Sequence, residues 1–392
     1  MHVWKVLELF LIQPLVWIGL IRCYLAARHR VHYERLHFRS AIDAHYLEVR
    51  NFFKDGLLFG VIATVVSLAL GLVVSPIWVV IYELLAVLSL LLIPTRLTPV
   101  TVFGLSWLVY WVLNPSLVAQ IGARLRTHGV ISLGLNSGVI ISGFLILGLG
   151  LAATAVLLRR RDTQLNSPQI RPDQRGKRIV RYRWQQLLVI PVGVLIPGDW
   201  LHATLPWWPV FQVGTQQFSV LLLPLLLGAS VQVYKQQPQV AWRRLAKDYW
   251  LVAAVSVIFA LAARWLALSP QWLIGLLGVL VVLLWGSLLR HRYHDQHQQF
   301  WFSDTDQGVR VIGVRPKTPA AKLNLSIGDV ILECNRQPVH SEAQFYAAIL
   351  TSPTYVHLKV RNVQQELIIT ETAIYSGAPH ELGIVLFTDQ ED

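Results

Sequence analysis

From about residue 4 to residue 290 the sequence is a succession of apolar runs separated by short basic segments. A membrane helix needs about 20 mostly apolar residues to cross the hydrocarbon core. By that measure the candidate spans are Trp4–Leu25, Gly56–Val74, Ile77–Ile93, Val100–Leu113, Ile131–Leu158, Leu187–Leu205, Phe218–Tyr234, Leu251–Leu266 and Trp272–Leu289. Turns at Ser75-Pro76 and Asn114-Pro115 punctuate the early runs, and Pro191, Pro197, Gly198 and Asp199 interrupt the sixth. The expected fold is an all-α polytopic membrane region of about nine helices over residues 1–292. Between the first two runs, Arg28 to Lys54 mixes charges with apolar residues at three- and four-residue intervals, which predicts an amphipathic helix at the membrane surface.

Charged residues make up only 14% of the chain and hydrophobic ones 54%, whereas soluble domains carry charge at about a quarter of positions. The formal charge is +12, and its placement says more than its size. Arg28, Arg30, Arg35 and Arg39 follow the first run, Arg159 to Arg183 the fifth, Arg243, Arg244 and Lys247 the seventh, and Arg290 and Arg292 the last. Basic loops stay on the cytoplasmic side, so these clusters place the N-terminus outside and the C-terminal segment in the cytoplasm. Arg124 and Arg126 run against the pattern. The expected partner of such loops is the lipid bilayer; no nucleic-acid-binding motif gathers them on one face. Trp200, Trp207, Trp208 and Phe211 surround an outer Pro-rich loop, as in an interfacial aromatic belt. Cys23 and Cys334 fit neither a disulfide framework nor a zinc site. The first run precedes its positive cluster and reads as a retained anchor, not a cleaved signal peptide.

After about residue 300 the chain changes character. Short β-rich runs occur at Val309–Val314, Val330–Leu332, Val356–Val360 and Leu367–Thr370. Two helical patterns lie among them, one opening at Pro319-Ala320-Ala321, the other spanning Ser341–Leu350 with Ser341 as N-cap. This predicts a small α+β domain over residues 300–392. Gly308 to Asn335 reads Gly-Val-Arg-Val-Ile-Gly-Val-Arg-Pro-Lys-Thr-Pro-Ala-Ala-Lys-Leu-Asn-Leu-Ser-Ile-Gly-Asp-Val-Ile-Leu-Glu-Cys-Asn. That run closely resembles a PDZ domain: a strand, a Pro-Ala-Ala helix, a Gly-Asp turn, then Ile-Leu-x-x-Asn. Gly328 permits the tight turn, and Asp329 can accept its backbone hydrogen bonds.

The resemblance implies an extended peptide, such as a C-terminal segment, bound as an added strand beside a helix. Ser341, Phe345 and Ile349 then belong to the flanking helix. Leu382, Gly383 and Ile384 lie in the nearest match to a carboxylate-binding loop, which implies a permuted strand order; a plain core strand is the alternative. The whole arrangement resembles the MinJ family of cell-division topology proteins. The specific motif is confined to the PDZ part, and elsewhere the likeness is architectural. It implies a membrane scaffold at the division septum and poles, with partners of the DivIVA and MinD kinds.

Catalysis is not expected. A zinc-dependent intramembrane protease needs His-Glu-x-x-His, which is absent; Gly228-Ala-Ser230 lacks a following Gly, and Asp199 has no partner aspartate in another span. The run His291-Arg-Tyr-His-Asp-Gln-His297 reads as a solvated linker. Glu83 lies within a span, and Asp199, His202 and Arg264 near the outer surface. A transporter would need polar groups facing one another at mid-membrane. A PDZ-containing membrane protease or protease adaptor, and a transporter with a regulatory PDZ domain, stand as alternatives to the scaffold. No cofactor or metal is expected.

Overall fold

The computed structural model describes residues 3–38, 41–42, 45–92, 98–125, 136–160, 166–172, 178–198, 210–213, 216–298, 302, 305–316, 318–352, 354–374 and 382–387. Side chains of 3–5, 114–125, 210–213 and 216 lie outside that description, as do Trp200, Trp207, Trp208, Asp199 and His202.

The membrane region opens with α1 (Val3–Ile12) and α2 (Pro14–Phe38), then α3 (Leu47–Ala69), α4 (Pro76–Leu92), α5 (Pro99–Leu125) and α6 (Ser137–Arg160). After β1 (Ser167–Pro172), β2 (Arg178–Pro197), β3 (Val210–Val213) and β4 (Gln216–Val233) come α7 (Pro238–Trp265) and α8 (Pro270–Gln296). Among the described residues, α3, α6, α7 and α8 are each long and apolar enough to cross a membrane. The α1–α2 pair, bent by 58° before Pro14, makes a fifth if it counts as one span. Leu57, Val61, Val65, Ile258, Leu261 and Val282 are among the apolar side chains exposed on these helices. Apolar surface on that scale suits contact with lipid.

Three expectations are corrected here, two of them about the apolar runs. Arg28–Lys54 is not one surface helix: its first part prolongs α2 to Phe38 and its last part opens α3. The larger correction concerns Leu187–Leu205 and Phe218–Tyr234, expected as helical spans. Their described parts form β2 and β4, an antiparallel hairpin registered from Tyr182↔Val233 to Pro197↔Phe218. At about 3.3 Å per residue, the 20 residues of β2 extend roughly 65 Å, about twice the ~30 Å hydrocarbon thickness. The strand can therefore run the depth of the helical bundle and still project a base beyond it.

Irregular or open-edged backbone survives at membrane depth only inside protein, and this hairpin is enclosed. Leu188, Ile190, Val192, Val194, Ile196 and Leu223 are all buried. Several of its outward backbone groups are met by the surrounding helices and the segment between α3 and α4. On β2, Thr64 Oγ1 donates to Pro191 O (3.2 Å) and accepts from Gly193 N (2.9 Å). Leu195 N donates to Leu72 O, and Val74 N to Leu195 O, each at 2.9 Å. On β4, Leu226 N donates to Tyr82 Oη (2.9 Å), and Gln13 Nε2 to Leu222 O (3.3 Å).

These bonds also explain two mid-strand prolines. Pro191 and Pro224 face each other across the hairpin. Residues two positions away, Gly193 and Leu226, direct their N–H groups outward to Thr64 and Tyr82. Both prolines therefore occupy outward positions, where a missing N–H removes no ladder bond. Small residues let the helices approach: a Cβ at Gly60 would come within 2.6 Å of Pro191, and one at Gly19 within 2.6 Å of Val189.

Against the hairpin pack the stacked rings of Trp78 and Trp107, 4.7 Å apart, with Tyr82 and Phe103 beside them. The His291–His297 run is not a solvated linker. It completes α8, where His291 and Asp295 are buried, and Asp295 accepts from Tyr234 N (2.9 Å) and Lys235 N (3.0 Å). Asp295 thus fixes the turn that leaves β4. Arg264 lies exposed in the last turn of α7, while Glu83 is half-buried on α4.

The C-terminal unit contains β5 (Val309–Val314), a 3₁₀ turn (Pro319–Lys322), β6 (Val330–Cys334), β7 (Gln337–Pro338) and α9 (Glu342–Leu350). It finishes with β8 (Tyr355–Arg361), β9 (Leu367–Ala373) and β10 (Ile384–Leu386). The sheet runs β10-β5-β6-β8-β9, with β7 beside β6. The expected strands and helix are thus all present, within a small α+β unit.

Candidate functional site

The Gly-Asp turn is the frame of the C-terminal unit. Gly328 has φ +104, a conformation glycine adopts without strain. Asp329 Oδ2 accepts from Ser326 N at 2.8 Å, and backbone bonds Val311 N→Asp329 O (2.8 Å) and Gly328 N→Val311 O (2.9 Å) lock the turn to β5. Burial raises the Asp329 carboxyl above its ordinary value, opposed by hydrogen bonds from the backbone of Ser326 and Val363. Of the paired alanines, Ala320 is fully buried but Ala321 is exposed, so close packing explains only the first.

Asn335, quoted in the sequence as the end of a motif, ties three elements together. Its Nδ2 donates to Ala348 O on α9 (2.9 Å), and its Oδ1 accepts from His357 N on β8 (3.0 Å). Its own φ is +50, which asparagine tolerates better than most residues. Cys334 beside it is buried, and burial pushes its thiol up to about 11, as for a packing residue.

The last described segment returns to the start of the unit. Ile384 pairs with Val314, Val385 with Gly313 and Leu386 with Val311, with a register shift between Val385 and Leu386. Leu382 O accepts from Ala320 N (3.0 Å), and Gly383 O from Arg315 N (2.8 Å). Gly383 has φ +87, and a Cβ there would lie 2.2 Å from Thr318 Oγ1; no larger residue fits without moving that loop. β10 is an edge strand, and among the described residues only β5 pairs with it.

The helix α9 packs on the same core as β10. Ser341 Oγ caps it by accepting from Gln344 N (3.3 Å). Phe345 is fully buried and shares a core with Leu382, Ile384 and Leu386, and Ile349 packs partly buried against that core. The structure thus brings Leu382, Ile384, Phe345 and Ile349 to one core, with Gly383 between the two strand residues in sequence and Ser341 capping the same helix. An edge strand beside a helix can accept an extended peptide through backbone hydrogen bonds.

The opposite face of β10 is occupied. Val385 and Phe387 join Val180, Tyr182, Phe302 and Ile312 in a second cluster, against which Phe38, Ile42 and Ile170 pack. Tyr182 Oη donates to Ile312 O (2.8 Å), and Val180 N to Phe302 O (3.1 Å). The hairpin base is therefore the seat of the C-terminal unit. The basic residues up to Arg183 predict a loop here; the signal of a strand is the alternation of Val180, Tyr182 and Trp184 with Arg181, Arg183 and Gln185.

No group of three or more His, Cys, Asp or Glu among the described residues could hold a metal. Residues 299–361 match the PDZ domain family model. Over 376 residues, 95% of both chains, the sequence is 29% identical to a protein of Lacticaseibacillus paracasei named "Probable cell division topological determinant MinJ". It is 27% identical over 392 residues to the "Cell division topological determinant MinJ" of Bacillus subtilis (strain 168), covering 98% of this chain and 94% of the relative. These relatives are named as division determinants, not as enzymes. No solved structure matches the chain. The C-terminal unit is a PDZ domain, and the chain is a homologue, at 27% and 29% identity over nearly its full length, of proteins named as the cell division topological determinant MinJ.

Proposed function

We propose that the protein is a membrane scaffold of bacterial cell division that recruits Min-system proteins to the septum and poles. The observation that carries this reading is the edge strand β10, which pairs among the described residues with β5 and shares a core with α9, in a PDZ domain seated on a membrane-type bundle. The groove formed by Leu382, Gly383 and Ile384, with Ser341, Phe345 and Ile349 on the helix side, takes a peptide or C-terminal segment as a further strand. Partners of the DivIVA and MinD kinds follow from the likeness to MinJ-named proteins, and the membrane helices supply the surface on which they gather.

The PDZ domain faces the cytoplasm. It docks at the bundle end where Tyr33 Oη meets the backbone of Ile170, Trp242 meets Asn166 and Arg290 pairs with Asp248. The basic clusters around Arg28–Arg35, Arg178–Arg183, Arg243–Lys247 and Arg290–Arg292 belong to that same end, as the positive-inside bias requires.

The test is live-cell imaging of tagged full-length protein beside a version lacking residues 300–392. Septal and polar enrichment, minicells or filaments when the gene is removed, and loss of at least one interaction on truncation are expected. Uniform membrane fluorescence with normal division overturns the scaffold; truncation that spares every interaction overturns the role of the groove.

A further inference from the structure

A cavity of about 290 Å³ opens where α2 leaves the apolar zone, between the end of α4, the start of α5 and the bases of β2 and β4. Its charged lining is Arg22, His29, Arg30, Glu48 and Arg183. Arg30 is committed to carboxylates: its Nε meets Glu48 Oε1 at 2.6 Å and its Nη1 meets Glu34 Oε2 at 3.2 Å. Glu34 also accepts from Ser167 Oγ and Ile42 N, each at 2.9 Å. That acidic pair is therefore consumed within its own network.

Arg22 and Arg183 are differently placed. Arg22 Nη2 donates to the Leu91 carbonyl at 2.9 Å, and Arg183 Nη2 to Ser230 Oγ at 3.3 Å. Neither is in an ion pair among the described residues. Arg183 Nε is buried without a hydrogen-bond partner, and so is Gln186 Oε1 nearby. Burial, with Arg181 close by, holds the Arg183 guanidinium below its ordinary value. A buried donor on a cation is costly when left unmade, and a guanidinium's planar fork matches a phosphate's oxygens.

Gly228 lines the cavity where the backbones of β2 and β4 approach closely. Gly228 has φ +124, and a Cβ there would fall 2.0 Å from Gln186 O. Leu25, Leu90, Leu187 and Leu226 supply an apolar side, so the space is cationic on one wall and apolar on another.

We propose that this cavity binds a phosphate-bearing anion, held by Arg183 and Arg22, whose source is the headgroup of an anionic phospholipid or free phosphate. The apolar wall suits the first carbons of an acyl chain, and Gln186 Oε1 can accept from a headgroup hydroxyl. Basic groups beside a bilayer also concentrate anionic lipid.

The experiment uses full-length protein in detergent micelles. Thermal unfolding is followed with added phosphatidylglycerol, phosphatidylcholine or inorganic phosphate, and retained lipid is counted by native mass spectrometry. Phosphatidylglycerol is expected to stabilise the protein and stay bound where phosphatidylcholine does not. The double variant Arg22→Gln/Arg183→Gln should lose that preference by about tenfold, as for removal of charge-assisted bonds, while Arg183→Lys keeps part of it and Arg290→Gln all of it. Stabilisation by phosphate alone, lost in the double variant, assigns the site to a soluble anion. Equal responses to both lipids with none to phosphate, or an undiminished preference in the double variant, overturns the proposal. If the Arg183 change prevents folding, Arg22→Gln alone decides: a weakened preference supports the site, and an unchanged one removes it.

Discussion

The β2–β4 hairpin and the β10–β5 pair are both antiparallel ladders with outer edges, yet they treat those edges in opposite ways. Within the bundle, Thr64, Leu72, Val74, Tyr82 and Gln13 meet the outward groups of β2 and β4. In the PDZ domain no further strand among the described residues meets the outer edge of β10. The environment accounts for the contrast. At membrane depth an unpaired N–H or C=O has no water to turn to and costs several kcal/mol. At the water-facing end an edge can stay open, and an open edge is what strand-adding ligands need. Closure therefore marks structure in the bundle, and the edge strand of the PDZ domain is where the proposed peptide would add.

The severest way to break the closed ladder is Gly228→Ala. Its positive φ and the 2.0 Å approach to Gln186 O predict a loss of about 3 kcal/mol from backbone strain and overpacking. Thermal unfolding of the purified protein in detergent measures it, and a melting point equal to the parent's removes the claim that the hairpin is rigidly packed there. Thr64→Val keeps the shape but strands Pro191 O and Gly193 N, and should cost roughly 2–3 kcal/mol; hydrogen exchange at Gly193 should rise ahead of the rest of β2.

On the open ladder, Gly383→Val should distort the loop against Thr318 by about 2 kcal/mol of local strain. Peptide capture should fall while bundle melting stays put. If melting falls and capture persists, the two regions are not separable in this way. The mildest change is Tyr182→Phe, which removes the bond to Ile312 O and should loosen the PDZ seat by about 1 kcal/mol. Faster exchange in β5 with unchanged exchange in β4 is the expected signature.

The PDZ domain was legible because its information is local. The Gly328-Asp329 turn, the Ser341 cap and the period-two strands each declare themselves within a few residues, and the fold uses them as written. The approximate helix positions were legible for the same reason, since an apolar run of the right length reports burial in lipid or protein. Such a run does not report how its backbone is bonded, and strand and helix are not distinguished by continuous apolarity. Pro191 interrupts one run and Pro224 lies in the other, and the structure places both at outward edge positions.

What the sequence determined by itself, then, is a membrane-type chain with a PDZ domain at its end, because hydropathy and turn chemistry act over short spans. Only the tertiary structure decided that two of the apolar runs pair as a hairpin. The groups that make such a hairpin tolerable lie far apart in the chain: Thr64 is 127 residues from Pro191, Tyr82 is 144 from Leu226, and Gln13 is 209 from Leu222. The seat of the PDZ domain is equally remote, with Tyr182 130 residues from Ile312. Those bonds exist only after the helices have assembled, since a backbone removed from water accepts whatever partner the surrounding fold brings within reach.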